Sequence, residues 1–362
     1  MGFKCGLVGL PNSGKSTIFN ALTCLHVEAS AYPFCTIDPH VGIIPIEDSR
    51  LDIVNQAAGS QKKVPTTIEF VDIAGLVKGA SQGEGMGNQF LSHITRSDAI
   101  AHVVRCFEEG NVSHTYQTLD PERDAGVVTL ELILKDLEIL EKRLGKTINA
   151  AKSGDSRFRH EVEALESLQA HLSSGGEIRH MNLTETQERL VHEMNLLSAK
   201  PVMFIANTDE HHLKDSTLVN TLTRYAERAG APCIVFCGKV QAEIAELDPE
   251  DQAAFLGAMG LDETGLQKLA KTGYGLLNLI SFFTANENEA HAWTVPRGTP
   301  VVRAAGAVHS DFEKGFIKAE VIKVADLIAH GSIRKLHELG LAAVHGRDYT
   351  VEDGDLIYFH TR

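Results

Sequence analysis

The chain of 362 residues lacks a C-x-x-C pair and lacks any apolar run long enough to span a bilayer. Nothing that resembles a signal peptide precedes its first apolar segment. Scattered cysteines without metal-type spacing are typical of reduced thiols. We therefore expect a cytoplasmic protein with no membrane partner. The six cysteines are Cys5, Cys24, Cys35, Cys106, Cys233 and Cys237.

Basic residues are outnumbered: 34 Lys and Arg face 48 Asp and Glu, which gives a formal net charge of −14. This excludes generic binding of polyanions, so any contact with nucleic acid needs a local basic face. Internal repeats and low-complexity tracts are also missing. The length and ordinary hydrophobic content indicate a globular protein with more than one domain.

Short apolar segments rich in β-branched residues recur, and helical patterns separate most of them. Apolar strands of this kind suit a sheet that is covered on both faces. We therefore predict an α/β domain with a mostly parallel sheet. Its expected strands are Cys5–Gly9, Val41–Ile46, Thr66–Asp72, Ala99–Cys106, Val202–Ala206 and Cys233–Phe236.

Two helical patterns interrupt this alternation after the fourth strand. Apolar residues recur at spacings of three and four from Val127 to Leu144 and from Phe158 to Leu172. The segment Lys152–Ser156, which contains Gly and Ser, separates them. This pattern predicts an inserted coiled-coil hairpin. Two amphipathic helices packed on the main domain are the alternative.

These patterns divide the chain into three domains. Residues 1–128 and 200–278 form one discontinuous domain, and residues 129–199 form the helical insertion. The last part, 279–362, contains short strand patterns and one helical stretch near Ile333–Leu339. It is predicted to be a small α+β domain of its own.

The segment Gly9–Ser16 matches G-x-x-x-x-G-K-[ST] completely, between a strand and a helix. Glycines let backbone N–H groups converge on phosphate oxygens. Lys15 is predicted to reach the β- and γ-phosphates, and the Ser16 hydroxyl to bind Mg²⁺. The nucleotide-binding residues predicted in and beside this loop are Asn12, Ser13, Gly14, Lys15, Ser16 and Thr17.

A second motif, D-x-x-G, follows the third predicted strand at Asp72–Gly75. Asp72 is predicted to hold the Mg²⁺ sphere, and the Gly75 N–H to approach the γ-phosphate. Thr36 lies between the two motifs and is the candidate switch threonine, which contacts both Mg²⁺ and the γ-phosphate. The glycine-rich stretch Gly79–Gly87 favours a segment that orders when the γ-phosphate is present.

Four strings then identify a resemblance: YPFCTIDP at Tyr32–Pro39, FVDIAGLVKGA at Phe70–Ala80, HVVRCFE at His102–Glu108 and HSDFEKG at His309–Gly315. They resemble the YchF, or Obg-like ATPase, subfamily of the Obg-related P-loop NTPases. The resemblance runs over the whole chain. It implies an OBG-type G domain, a coiled-coil insertion, a C-terminal ubiquitin-like TGS domain and association with ribosomes, through the large subunit or the whole particle. We expect a monomer.

Two further roles are implied by the resemblance. Asn12 resembles the asparagine that places an activating K⁺ in related proteins. His114 resembles a histidine proposed to assist hydrolysis, although a plain surface histidine is the alternative. Leu76 stands where many GTPases carry the glutamine that orients water, so slow intrinsic turnover is expected.

Guanine-specific relatives carry N-K-x-D after the fifth strand, whereas this chain has Asn207-Thr208-Asp209-Glu210. Asn207 can still reach the purine, and Thr208 replaces the lysine that covers the base. Glu210 is one methylene longer than the guanine-binding aspartate. The loop therefore removes the advantage of GTP, and the preference for ATP over GTP rests on the resemblance.

Basic residues gather near the tip of the helical insertion, and RNA phosphates or plain solvent are both compatible with them. They are Lys142, Arg143, Lys146, Lys152, Arg157 and Arg159. The resemblance favours RNA, bound through the insertion and the TGS domain. The favoured function is a Mg²⁺-dependent ATPase that acts as a ribosome-associated switch. The alternatives are a GTP-specific translation-factor GTPase, and a nucleotide-gated binding module with incidental hydrolysis.

Overall fold

The computed structural model describes residues 3–24, 41–72, 94–108, 116, 118–152, 155–213, 216–245 and 247–362. The chain forms two compact units. The first comprises Lys4–Cys24 and Phe70–Gly265, and the second Met1–Phe3, Leu25–Glu69 and Leu266–Arg362. Among the residues so described, no helix has the length and apolar character needed to cross a membrane.

The described ranges contain twelve strands and thirteen α-helices. The strands are β1 (Phe3–Val8), β2 (Val41–Pro45), β3 (Lys62–Val64), β4 (Thr67–Asp72), β5 (Ala99–Arg105), β6 (Val202–Asn207), β7 (Cys233–Phe236), β8 (Leu279–Ala285), β9 (Glu289–Pro296), β10 (Phe316–Lys323), β11 (Ala343–His345) and β12 (Asp355–Thr361).

The helices are α1 (Lys15–Cys24), α2 (Ser49–Ala58), α3 (Pro121–Ala151), α4 (Ser156–Ser173), α5 (Glu185–Met194), α6 (Thr217–Arg228), α7 (Gly238–Ala245), α8 (Pro249–Met259), α9 (Gly265–Leu276), α10 (Val301–Val308), α11 (Ser310–Gly315), α12 (Val324–His330) and α13 (Ile333–Glu338). Short 3₁₀ helices lie at Ile178–His180, Leu197–Ala199 and Glu210–His212.

The sheet of the first unit has the strand order β4-β1-β5-β6-β7. The pairs β1–β5, β5–β6 and β6–β7 are parallel, with Val8 opposite His102 and His102 opposite Phe204. All residues of β5 and β6 are buried, as expected of strands covered on both faces. All six predicted strands are present, and the predicted α/β class is confirmed.

The long helix α3 belongs both to the core of the first unit and to the helical insertion. Asp120 caps it by accepting a hydrogen bond from the Arg123 N–H at 3.1 Å. Ala125 packs into the core beneath the sheet. Farther along, Leu140 packs with Leu165 of α4. The break between α3 and α4 lies within the predicted segment Lys152–Ser156. The helix α3 itself is continuous from Pro121 to Ala151, across the predicted domain boundary at residue 128.

The buried carboxylate of Asp136 joins α3 to the segment that precedes β6. The side chain of Asp136 is fully buried and accepts hydrogen bonds from the backbone N–H groups of Leu197 at 2.8 Å and Ser198 at 2.7 Å. Buried N–H groups without a partner are costly. This contact therefore fixes the insertion relative to the strand that leads to the predicted base-binding loop.

The second unit is built on a sheet with the order β11-β10-β12-β8-β9-β3. The pairs β10–β11, β10–β12 and β8–β9 are antiparallel, and the pairs β12–β8 and β3–β9 are parallel. Phe282 and Val301 pack in the core on one face, and Phe283 and Leu356 in the core on the other. The predicted C-terminal α+β domain is present.

Residues that precede Asp72 in the sequence contribute to this second unit. Leu51 of α2 packs in the same core cluster as Phe283, and β3 adds a parallel strand beside β9. The Arg50 guanidinium forms ion pairs with Asp48 at 2.7 Å and with Asp353 at 2.9 Å. The sequence pattern had assigned this segment to the first domain together with its neighbours.

Candidate functional site

The predicted phosphate loop lies between β1 and α1, as the motif requires. Gly14 has φ +95°, and a Cβ on it would collide with the Asn207 side chain. Asn12 has a left-handed φ of 61°. Both conformations are uncommon for residues with a side chain. The loop therefore bends tightly against β6, and the first turn of α1 presents its N–H groups, which suits phosphate binding.

Lys15 is 7% exposed, and its ammonium donates hydrogen bonds to the carbonyls of Gly9 and Leu10, each at 2.9 Å. Burial lowers the pKa of Lys15 to about 8, against the Asp72 carboxylate, which acts to raise it. The Asp72 carboxylate therefore interacts electrostatically with the Lys15 ammonium of the phosphate loop. An ammonium held in this way can neutralise phosphate charge that develops during transfer.

The residues predicted to bind Mg²⁺ carry suitable donors. Ser16 is exposed in the first turn of α1, and Asp72 ends β4. Hydroxyl and carboxylate oxygens are ligands that Mg²⁺ prefers, usually one or two of them alongside water and phosphate oxygens. Across the described ranges, no cluster of three or more His, Cys, Asp or Glu side chains could hold a metal by itself. The Ser16 hydroxyl and the Asp72 carboxylate fit a Mg²⁺ ion that would be bound together with a nucleotide.

Three predicted catalytic residues, Thr36, Gly75 and His114, lie outside the described residues. The structure therefore leaves their roles as predictions. The same holds for Leu76.

A cavity of about 380 Å³ opens beside the first turn of α1. It brings together Thr17, predicted to bind the nucleotide beside the phosphate loop, and Asn207, Thr208 and Glu210, predicted to bind it from the loop after β6. In parallel sheets, ligands bind at the carboxyl ends of the strands. The cavity lies at the carboxyl ends of β5, β6 and β7, where a purine base is expected, and we call it the base cavity. Its lining residues are Thr17, Phe107, Glu108, Asn207, Thr208, Asp209, Glu210, His211, Cys237, Gly238 and Lys239.

Asn207 and Thr208 both bind neighbouring backbone. The Asn207 side chain is 4% exposed, and its Nδ2 donates to the Ser13 carbonyl at 3.0 Å. Thr208 is 3% exposed, and its hydroxyl donates to the Cys106 carbonyl at 3.3 Å. These bonds tie the end of β6 to the phosphate loop and to the end of β5.

Asp209 caps its own turn rather than facing the cavity as a free acceptor. Its carboxylate accepts hydrogen bonds from the backbone N–H groups of His211 at 2.9 Å and His212 at 3.1 Å. Glu210 is different: its side chain is 41% exposed, and its carboxylate lies 3.5 Å from Nε2 of His211. Glu210 is therefore the acidic side chain of this loop that can turn towards a base.

Sequence reasoning missed Phe107, Glu108 and the segment Cys237–Lys239 as parts of the base cavity. They follow β5 and β7 directly. The rule that loops after parallel strands meet at one edge would have indicated them. Applying this rule needs only the positions of the strands in the sequence, and those were predicted.

His102 lies in β5 beneath the phosphate loop, 2% exposed, with its ring centroid 5.3 Å from that of Phe204. Burial lowers its pKa to about 3, and the charges of Lys15 and Arg179 act in the same direction. The imidazole is therefore neutral across the physiological range and buried away from the base cavity. It has the role of a core residue.

The predicted basic cluster divides into two groups. Arg143 pairs with Glu193 at 3.3 Å, and Arg157 pairs with Asp155 at 2.9 Å. Lys142, Lys146 and Arg159 are exposed and form no ion pair within the described part of the chain, and Lys152 is exposed as well. The charge offered to a partner is therefore carried mainly by the unpaired residues.

Two protein-family models match the chain. Residues 4–137 match MMR_HSR1, described as a 50S ribosome-binding GTPase. Residues 279–362 match YchF-GTPase_C, described as a protein of unknown function (DUF933). The first match contains the phosphate loop and Asp72, and the second contains the C-terminal α+β domain.

Relatives align over nearly all of this sequence. Two proteins named Ribosome-binding ATPase YchF, from Escherichia coli O157:H7 and Bacillus subtilis (strain 168), are each 44% identical, over 359 and 362 residues and 99% of both chains. The structure of the Schizosaccharomyces pombe YchF GTPase is 31% identical with a TM-score of 0.89, covering 99% of this chain and 97% of that one. A GTP binding protein from Pyrococcus horikoshii OT3, 19% identical with a TM-score of 0.63, covering 99% and 100%, shares the fold.

Proposed function

This chain belongs to the YchF family, and we propose that it is a Mg²⁺-dependent P-loop ATPase that prefers ATP to GTP and acts as a ribosome-associated switch. The observation that carries the proposal is the base cavity, which is lined both by Glu210 and by Thr17, the residue that follows the phosphate loop. Relatives named as ribosome-binding ATPases support the choice of nucleotide and partner.

The catalytic roles follow from the side chains present. Lys15 neutralises charge on the β- and γ-phosphates, and the Gly75 N–H contacts the γ-phosphate. Ser16, Thr36 and Asp72 would hold Mg²⁺, which would polarise the phosphoryl oxygens. Leu76 cannot orient water, so intrinsic turnover is slow, and His114 is the candidate to assist hydrolysis.

The loop after β6 removes the advantage of GTP, and the preference for ATP itself rests on the relatives named as ribosome-binding ATPases. Asp209 is occupied by its own turn, and Glu210 carries an acidic group on a longer stem than the aspartate of guanine-specific relatives. The two hydrogen bonds that such an aspartate accepts from guanine are therefore weakened, while the phosphate contacts common to both nucleotides remain. Asn12, exposed in the phosphate loop, places an activating K⁺ in this proposal.

Ribosomal RNA is the proposed partner of the helical insertion. Lys142, Lys146 and Arg159 give this acidic protein a local positive surface, and such charges bind RNA phosphates. The C-terminal TGS domain, 279–362, is the second proposed ribosome contact. The proposed G domain is 1–128 with 200–278, of which residues 1–3, 25–69 and 266–278 belong to the second compact unit. The proposed insertion is 129–199, and the protein is proposed to be a cytoplasmic monomer.

Turnover of ATP and GTP, measured with and without ribosomes, tests this function. Wild-type protein should hydrolyse ATP slowly with a higher kcat/KM than GTP, and ribosomes should bind in a nucleotide-dependent way. Lys15→Ala should abolish hydrolysis and strongly weaken nucleotide binding. Lys335→Ala, which removes an exposed lysine of the second unit, is the matched control and should change neither.

The absence of a water-orienting side chain at position 76 also supports a second candidate, a nucleotide-gated binding module with incidental hydrolysis. The same assay separates the two. Ribosome binding that follows the bound nucleotide, with turnover that ribosomes never raise, favours the module. Unchanged turnover in Lys15→Ala would contradict the assignment of the site itself.

A further inference from the structure

Phe107 forms one wall of the base cavity, just beyond the last residue of β5. It is half-buried and supplies the only phenyl ring among the lining residues that the structure describes. Aromatic rings stack on nucleobases with a useful gain in affinity and little dependence on the identity of the base. The orientation of this ring therefore bears on how tightly a nucleotide is held.

Arg105 contacts Phe107 in two ways. Its Nε donates a hydrogen bond to the Phe107 carbonyl at 3.1 Å, and its guanidinium carbon lies 4.6 Å from the centroid of the ring. Arg105 is 3% exposed, and cation–π contacts are strongest when the cation is desolvated. Arg105 is not among the described residues that line the base cavity, so it supports the ring without entering the base site.

The backbone next to Phe107 is held by other groups. The Cys106 N–H donates to the Asn207 carbonyl at 2.7 Å, and the Thr208 hydroxyl donates to the Cys106 carbonyl. These bonds fix the end of β5 but leave the side-chain torsions of Phe107 free. The contact between guanidinium and ring restricts those torsions.

From these contacts we propose that Arg105 is a positioning residue of the nucleotide site, which holds Phe107 in place against the base. The inference rests on the proposed function, because it assumes that a nucleoside triphosphate binds in the base cavity. Arg105 also lines a small cavity of about 10 Å³ under the phosphate loop, together with Ser13 and Leu10. Support of the phosphate loop is therefore the competing role, and it would affect a different part of the ligand.

Two ligands separate the roles: ATP, which carries a base, and inorganic tripolyphosphate, which carries phosphates alone. Calorimetric titration of Arg105→Met should show ATP affinity about tenfold weaker and tripolyphosphate affinity changed less than about twofold. Phe107→Leu should show the same pattern. The double variant should lose no more than either single variant, because both remove one shared contact.

Steady-state kinetics and conservative variants give independent readouts. In Arg105→Met, KM for ATP should rise about tenfold while kcat at saturation stays near wild type, because the phosphate contacts remain. Phe107→Tyr, which keeps the ring, should retain ATP affinity. Arg105→Lys keeps the charge without the guanidinium geometry and should recover part of the loss.

Equal weakening of both ligands in Arg105→Met would overturn the inference in favour of loop support. Unchanged ATP affinity in that variant would overturn it as well. If Arg105→Met fails to fold, Phe107→Leu decides, since Phe107 is half-buried; unchanged ATP affinity there refutes the role of the ring. Wild-type protein that binds neither ligand would overturn the proposed function and this inference with it.

Discussion

Converting the loop after β6 towards the guanine-specific pattern should raise affinity for GTP. The change is Thr208→Lys combined with Glu210→Asp. It introduces the lysine stem that covers the base in guanine-specific relatives. It also shortens the carboxylate that would accept hydrogen bonds from guanine N1–H and the 2-amino group. Asp209 cannot substitute for Glu210, because its carboxylate caps the turn through His211 and His212.

The magnitude follows from the surroundings of the two side chains. Hydrogen bonds to a charged acceptor contribute about 1.5–3 kcal/mol each, but the Glu210 side chain is 41% exposed, so solvent reduces the gain. Replacing Thr208 also loses its bond to the Cys106 carbonyl at 3.3 Å. A net gain of about 2 kcal/mol remains, which is roughly a 30-fold tighter complex with GTP.

Competition titrations with ATP, GTP and their diphosphates measure this shift. Glu227→Asp shortens an exposed glutamate of the same unit and serves as the matched control, with no expected change in either affinity. A double variant that binds GTP no more tightly than wild type would refute the reading of this loop. Wild-type kcat/KM for GTP equal to or above that for ATP would refute the preference itself.

Three further predictions concern docking and stability. Reversing the charge of Lys142, Lys146 and Arg159 together should weaken co-sedimentation with ribosomes and lower the salt dependence of binding by about two to three units of slope. Asp136→Ala should lower the free energy of unfolding by about 3 kcal/mol, measured by urea denaturation, because two buried N–H groups lose their acceptor. His291, whose pKa burial lowers to about 4, should contribute stability that is complete above about pH 6.5 and is lost as the pH falls towards 4, by about 3 kcal/mol at most.

Each of these has its own control. Charge reversal at Arg224, an exposed residue of α6, should leave ribosome binding unchanged. An unaltered salt slope in the triple variant would exclude the insertion as the docking surface. Glu163→Ala, at an exposed site on α4, should leave the urea midpoint in place. For His291→Gln, the acid-side slope of stability should become shallower than in wild type, and an identical slope would show that other groups cause it.

The phosphate loop, the six strands and the break between α3 and α4 could be predicted from the sequence because each depends on neighbouring residues. Glycine spacing at Gly9 and Gly14 and the apolar runs of β5 and β6 are local properties. The same locality explains what was missed. The short strand β3, Lys62–Val64, has no pattern of its own, and only its distant partner β9 defines it.

The sequence by itself determined where the phosphate-loop motif lies and that it joins a strand to a helix, because the motif is continuous and its chemistry is fixed by residue type. Only the tertiary structure decided that Phe107, Glu210 and Lys239, which follow three different strands, line one cavity, and that Asn207 binds the backbone of the phosphate loop. It also decided that Arg143 of the insertion pairs with Glu193, which lies far along the chain. These outcomes depend on burial and on contacts between distant residues, and spacing along the chain encodes neither.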